Sequence, residues 1–333
     1  MTRAFCLAAA LCVPAAARAQ SSPFLPDSVH RDLAEEVSGD RAFESVRHLT
    51  HFHRTGGSRD FFAAAEWIRA AAAAAGLEDV KLVRQPARHP SWSGVSGEVW
   101  LLGADRSKLA DYAEVRVSVA DNSRTTHVEA ELVDVGAGTA ERDYEGKEVK
   151  GRIVLASGQA GRVQQEAVWK RGALGVLSHQ TNRPDPLDAP EQVAWGRLPY
   201  AAEDVEGVAD GTPSTFAVMI SPRRARALQR RLAAATAPLK VRVDIETAFD
   251  DPGQQAYVEG WIRGAGDAGT AREQQVVLTA HIQEEMTSAN DDGSGCASVL
   301  EIGRALVRLM REGKLARPRR DIRFWWVNEF ASE

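Results

Sequence analysis

Cysteine is scarce in this chain, with three in 333 residues. Cys6 and Cys12 fall in the leading apolar segment, so Cys296 stands alone in the remainder. An intrachain disulfide is thereby excluded, and the fold must be held by its core. Positive charge is not in excess either: 41 basic residues face 46 acidic ones, a formal charge of −5. That balance argues against a nucleic-acid partner. The basic run Arg223, Arg224, Arg226, Arg230 and Arg231 reads as a solvated helix face. Beyond the leading segment no apolar run is long enough to cross a bilayer, so no membrane span is expected. The acidic loop Asn290-Asp-Asp-Gly-Ser-Gly295 lacks the alternate-position acids of an EF-hand, which excludes that calcium motif.

What is present begins with a leader. Met1-Thr-Arg3 precedes an almost unbroken apolar run to Ala16, and Ala17-Arg18-Ala19 supplies a small-x-small cleavage pattern. Residues 1–19 therefore read as a secretory signal peptide, which predicts export to the periplasm or beyond. The length that follows suits about two domains. Residues 20–40 are polar and read as an extension of the mature end. Phe43, Val46 and Leu49 mark a helix face. Ser58 is placed to cap the next helix, whose apolar face is Phe61, Ala64, Ile68, Ala72 and Ala75, with Gly76 as its stop. His51-x-His53 has a ligand-like look. Residues two apart share a face only on a strand, and Gly56-Gly57 follows at once, so a loop-packing role is expected.

From 115 to 247 short strands and turns take over. Lys150 to Ala156, Gln164 to Arg171 and Gly172 to Leu177 predict a strand–helix–strand unit. Ser221-Pro222 has the chemistry of a helix start. From 248 onward, Tyr257 to Ile262 alternates as a strand. Gln274 to His281 is an apolar run of the kind a buried parallel strand shows. Val299, Ile302, Leu306 and Leu309 mark the helix that follows, and Asp321 to Val327 is a second strand delivering Asn328-Glu329 to its carboxyl end. Catalytic groups of open α/β sheets gather at such ends. His281, Asp291 and Glu329 are thus candidate metal ligands, since a hydrolytic site needs imidazole and carboxylate donors with an open position for water. Cys296 reads as core packing.

Two resemblances rest on these residues. Val133 to Gly138, Asp143-Tyr144-Glu-Gly146, Lys150 to Leu155 and Arg171 to Val176 resemble a protease-associated domain. Such domains carry no catalytic groups of their own, so none is assigned between 115 and 247. His281, Ser288 to Gly295, Val299-Leu-Glu301 and the strand to Glu329 resemble the zinc exopeptidases of the bacterial leucyl aminopeptidase and glutamate carboxypeptidase type. The resemblance implies an α/β peptidase sheet formed by residues 20–114 and 248–333, interrupted by an α+β insert at 115–247. It further implies a peptide substrate and two zinc ions, with His281 on one, Asp291 bridging both, and Glu329 as ligand or water-activating base.

Three departures accompany it. The family's His-x-Asp is here His281-Ile-Gln283, so an orienting carboxylate is missing unless Glu284 or Glu285 substitutes. Its paired glutamates are here Asn328-Glu329. Its further aspartate and histidine ligands have no counterpart before Glu333, which predicts a longer parent protein or a truncated gene product, inactive by itself. The rival expectation is a non-catalytic homologue that uses the same domains for binding.

Overall fold

The computed structural model describes residues 25–329 apart from 105, 187, 268–273 and 286. The expected signal peptide lies outside the described residues. In chain order the elements are α1 (Asp27–Glu36), α2 (Gly39–Leu49), α3 (Arg59–Ala74), β1 (Glu78–Pro86), β2 (Ser91–Leu101), β3 (Ser107–Asp111), β4 (Thr126–Asp134) and β5 (Ile153–Ala156). There follow α4 (Ala160–Val163), β6 (Gly175–Ser178), β7 (Ala217–Met219), α5 (Pro222–Ala234), β8 (Lys240–Asp250) and β9 (Gln254–Ile262). The last are β10 (Val276–His281), α6 (Gly295–Arg311) and β11 (Ile322–Val327).

The strands form two sheets, a four-stranded one in the order β1-β9-β11-β10 and a seven-stranded one in the order β3-β2-β8-β4-β5-β6-β7. Strand β10 runs parallel to β11, and α6 joins them, so the two carboxyl ends meet as expected. The core beneath them is built from Phe61, Ile68, Val258, Ile282, Phe324 and Trp326, each at most 1 % exposed. Cys296 is buried in the same core, and its thiol donates to the His281 carbonyl at 3.1 Å. In α3, Ser58 Oγ accepts the Phe61 N–H at 3.0 Å, and Gly76 takes the positive φ of +90° that a helix stop favours.

Three expectations need correction. Strand β10 is parallel but not buried throughout: it is the edge strand, and Val276 and Val277 remain 44 % and 46 % exposed. An apolar run signals burial only where both neighbouring strands and both faces are covered. The supposed extension at 20–40 contains α1 and the start of α2. It is tied to α6 because Arg304 donates to the Glu36 carboxylate and the Ser38 N–H donates to Glu301 at 2.8 Å. The second sheet also reaches beyond 115–247, since β2 and β3 pair into it and β8 extends to Asp250. Long-range pairing between β2 and β8 leaves no mark in local sequence pattern. Within that sheet, the expected parallel β5–β6 unit is present.

Candidate metal centre

His281 ends β10, and its imidazole is held from both sides. Nδ1 lies 2.9 Å from the Gln283 carbonyl, which can only accept, so Nδ1 is the donating nitrogen and Nε2 is the one left to face the site. A backbone carbonyl thus does the orienting that the resemblance assigned to an aspartate. Glu284 does not fill that role. Its carboxylate instead joins the ligand side: His281, Glu284 and Glu329 offer donor atoms within 4.8 Å of one another. Glu284 is the candidate ligand that pattern reading passed over. Its signal was the acidic pair three residues after the strand-end histidine.

Burial, the neighbouring Glu285 and then Asp291 push the Glu284 carboxyl up to about 9. Crowded carboxyl groups that resist ionisation are what a cation would relieve.

Asp291 stands beside this cluster rather than within it. Its Oδ1 is 3.2 Å from His281 Nε2, and its side chain is 77 % exposed. The loop that carries it leaves helical geometry at Asp291 and Asp292. Asp292 fixes that loop to the strand end, because Oδ2 accepts the His281 N–H at 2.9 Å and Oδ1 accepts the Gly295 N–H at 3.1 Å. A Cβ at Gly295 would meet Asp292 Oδ1 at 2.0 Å, so that glycine permits the turn.

Arg54 was not singled out by pattern, yet it is 1 % exposed beneath the site. Its guanidinium donates to the carbonyls of Ile282 (2.7 Å), Leu49 (2.6 Å) and Ser288 (3.2 Å). Its own carbonyl accepts the Glu284 N–H at 3.1 Å. Both ends of the Ile282–Ser288 loop therefore hang on one side chain. Asn328, where the resemblance expects a carboxylate, is buried and donates its amide to Gln255 Oε1.

The His51-x-His53 pair divides as expected into an exposed residue and a loop-packing one. His53 is 3 % exposed, 4.0 Å from Asp121. Burial, then Arg116 and Arg54, lowers His53 to about 4. Burial also raises Asp121 to about 7, with Glu285 adding and Trp195, Arg197 and Thr55 opposing. The two therefore favour neutral forms side by side.

The signs follow from linkage. Asp121 holds its proton longer when folded, so its contribution is present below about pH 4 and lost as pH rises through about 7. His53 acts oppositely, losing stability as pH falls from 6.5 through about 4. The two slopes offset each other between about pH 4 and 6.5, so in urea melts of the metal-free protein Asp121→Asn should lose the falling one and decline less, relative to the wild type, as pH rises from about 4 to about 7. An unchanged decline in the variant would refute the assignment.

Residues 265–329 match the family model described as Peptidase family M28. A search of curated proteins finds no match. Among solved structures, an aminopeptidase from Aneurinibacillus sp. strain AM-1 is 19% identical with a TM-score of 0.54, covering 90% of this chain and 64% of its own. A zinc aminopeptidase from Bacillus subtilis is 19% identical with a TM-score of 0.56, covering 87% and 61%. A peptidase M28 precursor from Shewanella amazonensis SB2B is 18% identical with a TM-score of 0.60, covering 90% and 66%. The chain thus spans 61–66% of the length of these structures. It has their mixed α/β fold, and the stretch holding His281, Glu284, Asp291 and Glu329 is the part that carries the M28 peptidase signature.

Proposed function

We propose that this chain is the metal-binding part of an exported zinc-dependent peptidase, acting on peptides as an aminopeptidase. The observation that carries the reading is the convergence of His281 Nε2 with the Glu284 and Glu329 carboxylates at neighbouring strand ends. The donor set fits zinc: an imidazole whose Nδ1 is held by a backbone carbonyl, and a Glu284 carboxyl that burial, Glu285 and Asp291 crowd and a cation would relieve. Zinc would polarise the scissile carbonyl and lower the pKa of the attacking water. His281, Glu284 and Glu329 would hold it, and Asp291, with its outward carboxylate, is the residue we assign to bridge to a second ion. Asn328 cannot accept the water proton, so that task falls to a carboxylate of the cluster, Glu329 or Glu284. Export rests on the leader pattern of residues 1–19. No helix among the described residues is long and apolar enough to cross a membrane.

A second reading, a binding homologue without turnover, is favoured by one feature, the Asn328 amide bonded to Gln255 in place of a base. Hydrolysis of aminoacyl anilides by the full-length parent protein separates the two. The peptidase predicts activity that vanishes on chelation and returns with zinc. Tight zinc binding with no turnover on any peptide would select the binding reading instead.

A further inference from the structure

The cleft beside the metal centre is walled largely by loops of the seven-stranded sheet. It encloses about 940 Å³ and reaches the centre at Gln283 and Asn328. Gln283 and Asn328, chain neighbours of the candidate ligands Glu284 and Glu329, line the end of the cleft nearest the centre.

One segment of the wall is built with care. The Asp121 N–H donates to the Gly196 carbonyl, and the Leu198 N–H donates to the Asp121 carbonyl, both at 2.9 Å. The Trp195 indole N–H donates to the Asp121 carboxylate at 3.2 Å. The other Asp121 oxygen accepts from Thr55 Oγ1 at 3.3 Å, so the segment is anchored to the loop preceding α3. Asp121 itself is 4 % exposed, whereas Trp195 keeps 38 % of its surface open. Ordering a tryptophan at the surface forgoes burial, which makes an open, pinned indole a contact surface.

The charges in the cleft are unbalanced in the direction opposite to the chain's. Arg88 is paired with Glu203 at 3.1 Å. Arg162 and Arg197 also line the cleft and form no ion pair among the described residues. The other acid in the lining is Asp121, held beneath Trp195. A net-negative protein thus presents a positive cleft, and low-dielectric walls focus such a field.

We propose that Trp195 and Arg197, together with Arg162, recognise peptides bearing a carboxylate near the scissile bond. Trp195 covers the apolar part of the side chain, and the guanidinium groups take the carboxylate in the forked geometry arginine favours. Asp121 is the positioning residue of this surface. The peptide class rests on the peptidase reading; the acidic preference rests on the cleft.

Isothermal titration on the whole chain without added metal tests it, using a short peptide containing glutamate and its glutamine isostere. The glutamate peptide should bind about 10-fold tighter at low salt, and the gap should close near about 0.5 M salt. The preference should vanish in the double variant Arg162→Gln/Arg197→Gln and be reduced but not lost in Arg197→Lys, which keeps the charge without the fork. These side chains are exposed, so the fold is undisturbed. Equal affinities in the wild type, a preference that persists in the double variant, or no binding of either peptide would overturn the proposal. Zinc uptake by the same wild-type sample reports separately. Zinc binding without acidic preference overturns only the recognition surface, and acidic preference without zinc binding overturns only the metal site.

Discussion

Alanine at His281 is expected to lower zinc affinity by at least about 100-fold, more than the 10–100-fold that follows loss of an outer partner. His281 is the one imidazole of the cluster, and the Gln283 carbonyl already fixes its free nitrogen toward Glu284 and Glu329. In the full-length parent protein, Asp291→Ala should remove the second ion and abolish peptide hydrolysis while leaving the fold intact, since its side chain is 77 % exposed. Equilibrium dialysis with metal analysis reads both variants. Zinc retained at wild-type affinity by His281→Ala would remove that residue from the ligand set. Hydrolysis surviving Asp291→Ala would refute the bridging assignment.

The second large effect concerns Arg54. Replacement by leucine strands the buried Ile282 carbonyl and removes the guanidinium bonds to the carbonyls of Leu49, which keeps the Phe52 N–H, and of the half-buried Ser288. The unsatisfied buried carbonyl costs on the order of 1–3 kcal/mol and the two further bonds to a charged donor add to it, so the loss should be at least about 3 kcal/mol. Urea unfolding should show the midpoint falling with little change in slope. Lysine should not rescue it, because a single ammonium cannot reproduce the fork of the guanidinium. The loop bearing Glu284 would loosen with it, so zinc affinity should fall about 10- to 100-fold. A variant as stable as the wild type would show that the loop is held by something else.

How much of this was readable in advance depended on range. Capping chemistry is local, so Ser58 and Gly76 announced the limits of α3. The pairing of β10 with β11 was readable because a single helix joins two apolar strands, and this placed His281 and Glu329 together. The edge position of β10 was not, because strand order is set by β9 and β11, far apart in sequence. Arg54 escaped for the same reason, since its partners Ile282 and Ser288 lie more than two hundred residues away. Glu284 escaped because an acidic residue after a strand looks the same whether it faces water or a ligand shell. The Gln283 carbonyl was unreadable in principle: backbone acceptors are present at every position, and only the turn decides which one faces His281.

The departures at Gln283 and Asn328 have different consequences. At Gln283 the missing carboxylate is replaced by a neutral acceptor, so the imidazole keeps its orientation. At Asn328 the amide is committed to Gln255, and a Cβ at Gly56 would stand 2.8 Å from its Nδ2. That tight floor leaves Asn328 a structural residue. On the proposed peptidase reading, the water-activating carboxylate is therefore Glu284 or Glu329.

Anomalous diffraction at the zinc edge, from crystals grown with zinc, tests the central claim most directly. The account predicts a peak within about 2.0–2.2 Å of His281 Nε2 and of the Glu284 and Glu329 carboxylates. A peak that shares none of these three side chains, or no peak at saturating zinc, would contradict it.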